Sequence, residues 1–331
     1  MKKVLFAAVA MAAVGSMAAA EVRLSGYGRF GLDYNDGNSR ATNGISKTTI
    51  TSRLRLQFDM SAETDGGVAF GARFRAQAES RDNTPGTATF NGGRFFVGYE
   101  GLSVYVGNII GAMENTPGIY LETRTAGTGV DGAGFVSNVG NANGEYFNWD
   151  SYSSGRAGSN GVEAIYSAGG FTGHVSYSER NGATATSRAA VMAAYTFGDW
   201  TAAASYQSSD VGAFEDKMIV TIQGDIGNFG VRAAYADNDG ISKWGLYGNV
   251  DIGAASNILL WVTSEGAVSA TDVAAGRNDN RDGVAGSNEG EGQSYGIHYS
   301  YDLGGGVSFE TGYRRSSADN DTFQAGVYFS F

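Results

Sequence analysis

The sequence predicts an all-β protein, a barrel of antiparallel strands that crosses a membrane. Three observations predict it. Polar and apolar residues alternate along many short segments, short connections alternate with long polar ones, and arginines keep to one face of their strands. The chain has 331 residues with 51 Gly, 2 Pro and no Cys, which excludes a disulfide framework and a thiolate metal site.

The N-terminus has the pattern of a secretory signal peptide, residues 1–20. Lys2 and Lys3 form a positive region, an apolar stretch follows, and Ala18 to Ala20 form a small-residue cleavage site. A membrane-spanning helix would need about 20 apolar residues, more than this stretch offers. We therefore expect one mature barrel domain, residues 21–331. Loss of the two lysines takes its formal charge from −11 to −13, which disfavours nucleic acid as a partner.

Alternation with a period of two begins at residues 22–34. Val22, Leu24 and Phe30 fall on one side of this segment, and Arg23 and Arg29 fall on the other. The segment also contains a Gly-x-Gly-x-x-Gly spacing, but a dinucleotide-binding loop would need a helix after it, and the alternation continues instead. The pattern recurs along the chain in about sixteen segments, including 53–60, 68–79, 171–178, 295–301 and 323–331.

The same alternation would fit a soluble β-sandwich, whose apolar face packs on a second sheet. Three features favour a membrane barrel, in which the apolar face meets lipid and the polar face lines a wet lumen. Short turns alternate with long loops, aromatic residues recur near strand ends, and Phe331 ends the last alternating segment.

Five arginines share the polar face of their predicted strands. Turned toward lipid, each would cost roughly 2–4 kcal/mol near the bilayer midplane, so the register is strongly set. On a soluble sandwich they would be ordinary solvated charges. The predicted pore-lining basic wall consists of Arg29, Arg53, Arg55, Arg73 and Arg75.

Six stretches, taken in their order and spacing, carry a family resemblance. They are EVRLSGYGRFGLDY from Glu21, ITSRLRLQF at 50–58, GVAFGARFRAQ at 67–77, SVYVGN at 103–108, SYDLGGG at 300–306 and the terminal AGVYFSF. Together they resemble general diffusion porins of the alphaproteobacterial, purple-bacterium type. The resemblance implies a 16-stranded antiparallel transmembrane β-barrel in the Gram-negative outer membrane, a homotrimer in contact with outer-membrane lipid and lipopolysaccharide. It also implies a water-filled channel for passive diffusion of small hydrophilic solutes and ions, without enzymatic activity or cofactor.

A connection of about 50 residues, near 108–160, is too long for an ordinary hairpin loop. The resemblance implies that its early part folds into the lumen as a constriction loop. There Glu114 and Glu122 would face the arginine wall and create a transverse field, to which Asp131 and Asp150 could add. The alternative is that Glu114 and Glu122 are solvated loop charges.

Two alternatives to a general diffusion channel follow from particular residues. A substrate-selective channel of the same fold, for sugars or anions, would need a ladder of aromatic side chains, for which Tyr27 and Tyr105 have the lumen parity. An outer-membrane hydrolase could use Ser294, within a Gly-x-Ser-x-Gly pattern, and His298. That pattern requires a strand–turn–helix, whereas Ser294 opens an alternating strand.

A polar segment near the C-terminus carries most of a calcium-loop spacing, with Asn in place of the first Asp. No helices flank it, and a solvated Gly/Asn/Asp loop would look the same. The hypothesis is weak Ca²⁺ binding at an external loop, with metal ligands Asn278, Asn280, Asp282 and Glu289.

Overall fold

One antiparallel sheet closes on itself to form the whole fold. The computed structural model describes residues 20–81, 84–121, 139, 149–180, 186–210, 216–238, 240–267, 269–271 and 291–331. Eighteen strands form the sheet, and β1 pairs with both β2 and β18, which closes the cylinder. Because β4 and β5 are two-residue segments that pair with β3, sixteen long strands make the barrel, as the sequence predicts.

The strands of the first half are β1 Glu21–Asn35, β2 Thr48–Glu63, β3 Ala69–Arg81, β4 Thr84–Pro85, β5 Thr89–Phe90, β6 Arg94–Tyr99, β7 Leu102–Asn108, β8 Asn160–Ala168 and β9 Phe171–Arg180. Those of the second half are β10 Thr186–Phe197, β11 Trp200–Ser209, β12 Lys217–Ile226, β13 Phe229–Asn238, β14 Ile241–Ile252, β15 Ser256–Glu265, β16 Gly292–Gly304, β17 Val307–Arg315 and β18 Asp321–Ser330.

Tight turns join the strands at one end of the barrel. The turn between β6 and β7 consists of Glu100 and Gly101, with φ of 45° and 85°. Gly169 and Gly170 join β8 to β9 with φ of 55° and 83°. Two successive residues with positive φ match the right-handed twist of the flanking strands, and glycine tolerates that conformation best. The longer connections lie at the opposite end, so the predicted alternation of short turns and long loops is confirmed.

The outer surface of the barrel is apolar. Leu24, Phe30 and Leu32 on β1 are each more than half exposed, and outward apolar side chains recur on the other long strands. Every strand among the described residues belongs to one sheet, so none of these strands forms a second sheet over this face. A water-soluble monomer rarely exposes an apolar surface of this extent, whereas a lipid bilayer covers it. The described ranges contain no helix with the length and hydropathy of a membrane span.

The Gly-x-Gly-x-x-Gly segment lies inside β1, a continuous strand of 15 residues. Gly28 points outward beneath the ring of Phe329 on β18, and a Cβ added there would lie 2.2 Å from Cζ of that ring. The glycine therefore allows an aromatic ring to lie flat on its neighbour strand, and it does not form a nucleotide-binding turn.

We expect opposite effects from one arginine on the two faces of β16. Ile297 points outward and is 42% exposed, whereas Ser300 lies on the lumen face opposite Glu310 of β17. Ile297→Arg should destabilise the folded barrel by roughly 2–4 kcal/mol, and Ser300→Arg by much less. Urea unfolding in phospholipid vesicles measures both, and equal costs would contradict the assigned faces.

Candidate functional site

The basic wall rests on the pairing of β2 with β3. Both strands carry the motif Arg-x-Arg-x-Gln-x-acid, as RLRLQFD at 53–59 and RFRAQAE at 73–79. Because the strands are antiparallel, the two copies run in opposite directions, and each arginine of one copy stands opposite the acid or the glutamine of the other. The directly opposed pairs are Arg53 with Glu79, Arg55 with Gln77, Gln57 with Arg75 and Asp59 with Arg73.

Each copy of the motif contributes to two hydrogen-bonded relays across the strands. In one relay, Arg73 Nε donates to Asp59 Oδ1 at 2.5 Å, and the Gln57 amide donates to Asp59 Oδ2 at 2.7 Å. Arg75 Nε then donates to Gln57 Oε1 at 2.8 Å. The relay therefore runs guanidinium, carboxylate, amide, guanidinium and carries one net positive charge.

The second relay repeats the first with the strands exchanged. Arg53 Nε donates to Glu79 Oε2 at 2.8 Å, and the Gln77 amide donates to the same oxygen at 3.4 Å. Arg55 Nε donates to Gln77 Oε1 at 2.8 Å. The outer arginines, Arg53 and Arg73, are thus paired with carboxylates, and the inner arginines, Arg55 and Arg75, with neutral amides.

Aromatic rings support the inner arginines. The Arg55 guanidinium lies 5.0 Å from the centroid of the Tyr27 ring, and that of Arg75 lies 4.6 Å from the Tyr152 ring. Arg75 Nη1 also donates to Ser154 Oγ at 3.1 Å. Such cation–π contacts stabilise a guanidinium and fix its plane.

The five predicted arginines lie on the same face of neighbouring strands, but their contacts differ, and their role as a pore-lining wall stays a prediction. Arg29 of β1 is buried and stands opposite Arg53, so three neighbouring strands supply the wall. The carboxylate partners, which distinguish Arg53 and Arg73 from the other arginines, were not predicted from the sequence. The signal was present in the repeated motif, whose spacing of 20 residues spans one hairpin.

The long connection after β7 turns into the barrel, as expected for a constriction loop. Residues 109–121 follow the inner wall past successive strands. Gly111 N donates to Glu163 of β8 at 2.8 Å, and Ala112 N donates to Ser176 of β9 at 2.9 Å. Thr116 Oγ1 then donates to Ser205 of β11 at 2.9 Å. This path lies across the lumen from the basic wall.

Glu163 anchors the start of the loop. Its buried carboxylate accepts from Ile110 N at 3.2 Å, Gly111 N at 2.8 Å and Arg94 Nε at 2.8 Å. His174 Nε2 lies 3.0 Å from Oε2, the oxygen that also accepts from Gly111 N. His174 is a polar residue of the lumen face. Glu163 and Arg94 were not predicted, because their only signal in the sequence is a charge at lumen parity.

Apolar side chains hold the rest of the loop against the wall. Leu121 packs with Tyr247, Leu259 and Trp261, all buried inside the barrel. This contact explains why segment 257–264 has apolar residues on both faces, since one face meets lipid and the other meets the loop. A second cluster joins loop to wall through Met113, Ile119, Val139, Trp149, Ile219, Ala234 and Ala236.

The carboxylate of Glu114 is held within the loop. Its Oε2 accepts from Tyr120 Oη at 2.6 Å and from Trp149 Nε1 at 2.8 Å. Burial raises the pKa of Glu114 to about 7, although both hydrogen bonds favour the ionised form. Its described hydrogen bonds are with loop side chains rather than with the arginines, and Asp150 lies 3.7 Å from Arg188.

Other predicted sites are separated from this constriction. Ser294 and His298 both lie within β16 and not at a strand–turn–helix. Ser294 Oγ accepts from Ser317 N at 3.0 Å, and His298 Nε2 lies 3.0 Å from Glu310 Oε2. The nucleophile-elbow interpretation is therefore wrong. Residues 1–19, Glu122, Asp131 and the proposed calcium ligands Asn278, Asn280, Asp282 and Glu289 lie outside the described residues.

Comparison with known proteins identifies the family. Residues 7–321 match the family described as Gram-negative porin. The chain belongs to this porin family. It is 29% identical to a porin of Fuscovulum blasticum over 326 residues, covering 94% of this chain and 100% of the relative. It is 30% identical to a porin of Rhodobacter capsulatus over 339 residues, again covering 94% of this chain and 100% of the relative.

Solved structures share the fold of this porin. A mutant of the Rh. blastica porin superimposes with a TM-score of 0.73 at 23% identity, covering 94% of this chain and 100% of that one. The protein is a general porin related to those of purple alphaproteobacteria, and it forms a diffusion channel in the Gram-negative outer membrane. Porins of this family are channels and not enzymes.

Loosening the contact of Leu121 with the wall should make the channel noisier and its mean conductance higher. In well-packed sites Leu→Ala substitutions cost about 2–5 kcal/mol, and here that cost falls on docking of the loop. We therefore expect Leu121→Ala to show frequent current fluctuations in planar bilayers. Leu260→Ala, on the outer face of β15, serves as the control and should behave like wild type. Equally quiet currents from Leu121→Ala would contradict the docking role.

Proposed function

We propose that solutes cross the porin between the basic wall and the inward loop, at a constriction that sorts small hydrophilic solutes by charge. The supporting observation is that Arg55 and Arg75 hydrogen-bond to amides, whereas Arg53 and Arg73 pair with carboxylates. A closely paired charge acts outward only as a dipole, but a charge without a counter-ion acts over a Debye length, about 8 Å at physiological salt. The inner arginines therefore dominate the field at the wall.

The opposite side of the constriction carries the acidic groups, Glu114 and, as implied by the resemblance, Glu122. An acidic loop facing a basic wall gives a transverse field that orients dipolar solutes and disfavours apolar ones. The pKa of Glu114, about 7, means that its charge changes near neutral pH. The neutral form prevails at about pH 5, the ionised form at about pH 8, and the field is stronger at the higher pH.

A sugar-selective channel is the second candidate, and the aromatic side chains decide against it. Tyr105 has one face occupied by the Arg94 guanidinium, 3.6 Å from the ring centroid. Tyr27 stacks on Tyr328 at 5.4 Å and also supports Arg55. Among the residues placed in the structure, these rings brace arginines and do not form a continuous ladder for a sugar.

Ion preference should change with pH through Glu114. As pH rises from about 5 to 8, ionisation of this carboxyl should increase the permeability of K⁺ relative to Cl⁻. Reversal potentials across a KCl gradient measure this ratio. Glu114→Gln should remove most of the change, while Glu100→Gln, at a tight turn outside the lumen, should retain it. An unchanged pH response in Glu114→Gln would refute a role for this carboxyl in the field.

We propose further that the porin assembles as a homotrimer within outer-membrane lipid and lipopolysaccharide, as porins of this family typically do. Outward rings on neighbouring strands, such as Phe58 and Phe74 stacked at 4.6 Å, supply a firm apolar surface that suits contact with a second barrel. Insertion into planar bilayers should then give current steps in groups of three equal sublevels. Single, ungrouped steps from detergent-purified protein would indicate a monomer.

A further inference from the structure

The inner pair of arginines offers a place where a solute can bind and not merely pass. We propose that Arg55 and Arg75 form a binding subsite for small polyatomic oxyanions, with inorganic phosphate and phosphate monoesters as the class that fits best. This inference rests on the proposed function, because it requires that solutes reach the basic wall.

The register places the two guanidinium groups within reach of one anion. Arg55 is opposite Gln77, and Arg75 is opposite Gln57, so the two arginines are diagonal neighbours on the same face of β2 and β3. Such neighbours are about 7–8 Å apart at the backbone, a span that two long side chains can close on a shared ligand. The self-complementary motif makes their surroundings equivalent, which suits an anion with several equivalent oxygens.

Both guanidinium groups are held before any anion arrives. Each donates a hydrogen bond from Nε to a glutamine Oε1 at 2.8 Å, and each lies against a tyrosine ring. Arg75 also commits Nη1 to Ser154. The described contacts leave both Nη groups of Arg55 and Nη2 of Arg75 as donors for a ligand. A fixed fork loses little conformational entropy on binding, and it matches two oxygens of one phosphate or carboxylate.

The neighbouring residues explain why the site lies at the inner pair. At the outer pair, Asp59 and Glu79 occupy Arg73 and Arg53, so an incoming anion would have to displace a carboxylate. At the inner pair the corresponding positions hold Gln57 and Gln77, which accept from the arginines without carrying charge. The carboxylates remain two residues away and repel a bound anion, which favours its release into the channel.

Phosphate block of single channels tests the subsite. The full-length porin is reconstituted in planar bilayers in KCl at about pH 8, and inorganic phosphate is added while the chloride current is recorded. We expect a saturable reduction of the wild-type current. Arg55→Lys/Arg75→Lys keeps both charges but removes the guanidinium forks, and it should weaken the apparent affinity for phosphate roughly tenfold or more.

The matched control is Arg53→Lys/Arg73→Lys, the same exchange at the outer pair of the same strands, which should be blocked like wild type. A wild-type current insensitive to phosphate would overturn the proposal. So would equal block of the inner-lysine variant and wild type, because binding would then depend on charge alone. Equal weakening in both lysine variants would also overturn it, since the inner pair would not be special.

A different variant tests the proposed function separately. Arg55→Gln/Arg75→Gln removes the two charges and should shift the KCl reversal potential toward cation preference. An unchanged reversal potential in the glutamine variant contradicts the charge-sorting constriction. If that potential shifts as expected but phosphate blocks Arg55→Lys/Arg75→Lys as strongly as wild type, only the oxyanion subsite is contradicted.

Discussion

Every other feature of this porin depends on the closure of the sheet into a cylinder, which gives the backbone N–H and C=O groups of its edge strands hydrogen-bond partners. An unpaired N–H or C=O in hydrocarbon costs several kcal/mol, so the first and last strands must meet. They do so through Gly26 N to Phe331 O at 2.9 Å and Phe331 N to Gly26 O at 3.1 Å, next to the β1–β18 ladder. Once the cylinder is closed, each strand has one face in lipid and one in the lumen, and the side chains follow a period of two.

Inside the cylinder, the wall is divided between two tasks. From β10 to β15 it carries inward apolar residues, such as Met192, Ile219 and Trp261, that the loop covers. From β1 to β3 it carries charged and amide side chains instead, of which Arg29 and Arg53 are buried and Arg55 and Arg75 are half-buried. The loop therefore narrows the passage by packing on the apolar side of the wall, β10 to β15. The polar side, β1 to β3, is left to discriminate between solutes. Glu163 fixes where the loop leaves the wall, because its carboxylate gathers donors from the loop and from two strands.

Features that show as a repeated local pattern could be predicted from the sequence alone. Alternation and turn residues predict the barrel and the lumen face of the arginines. The length of the β7–β8 connection sets it apart from an ordinary hairpin loop, and its inward fold was implied only by the resemblance to porins. Features that depend on pairing across the fold were not predicted. The inward position of the apolar Leu259 depends on Leu121, a contact that comes from the distant loop. The position of Glu114 opposite the arginines stays a prediction. Its hydrogen bond from Trp149 could not be predicted, because the two residues are 35 positions apart and meet only when the loop folds. The carboxylate partners of Arg53 and Arg73 depend on the β2–β3 register.

The head-to-tail repeat in β2 and β3 has a consequence for the direction of transport. A solute that arrives from the cell exterior meets arginine, acid and amide in the same arrangement as one that arrives from the periplasm, because a local two-fold axis relates the two relays. The two relays therefore contribute little rectification of their own. A difference between inward and outward current would come from groups outside the relays, such as Arg29 of β1 and the loop, which enters from one end and breaks this symmetry.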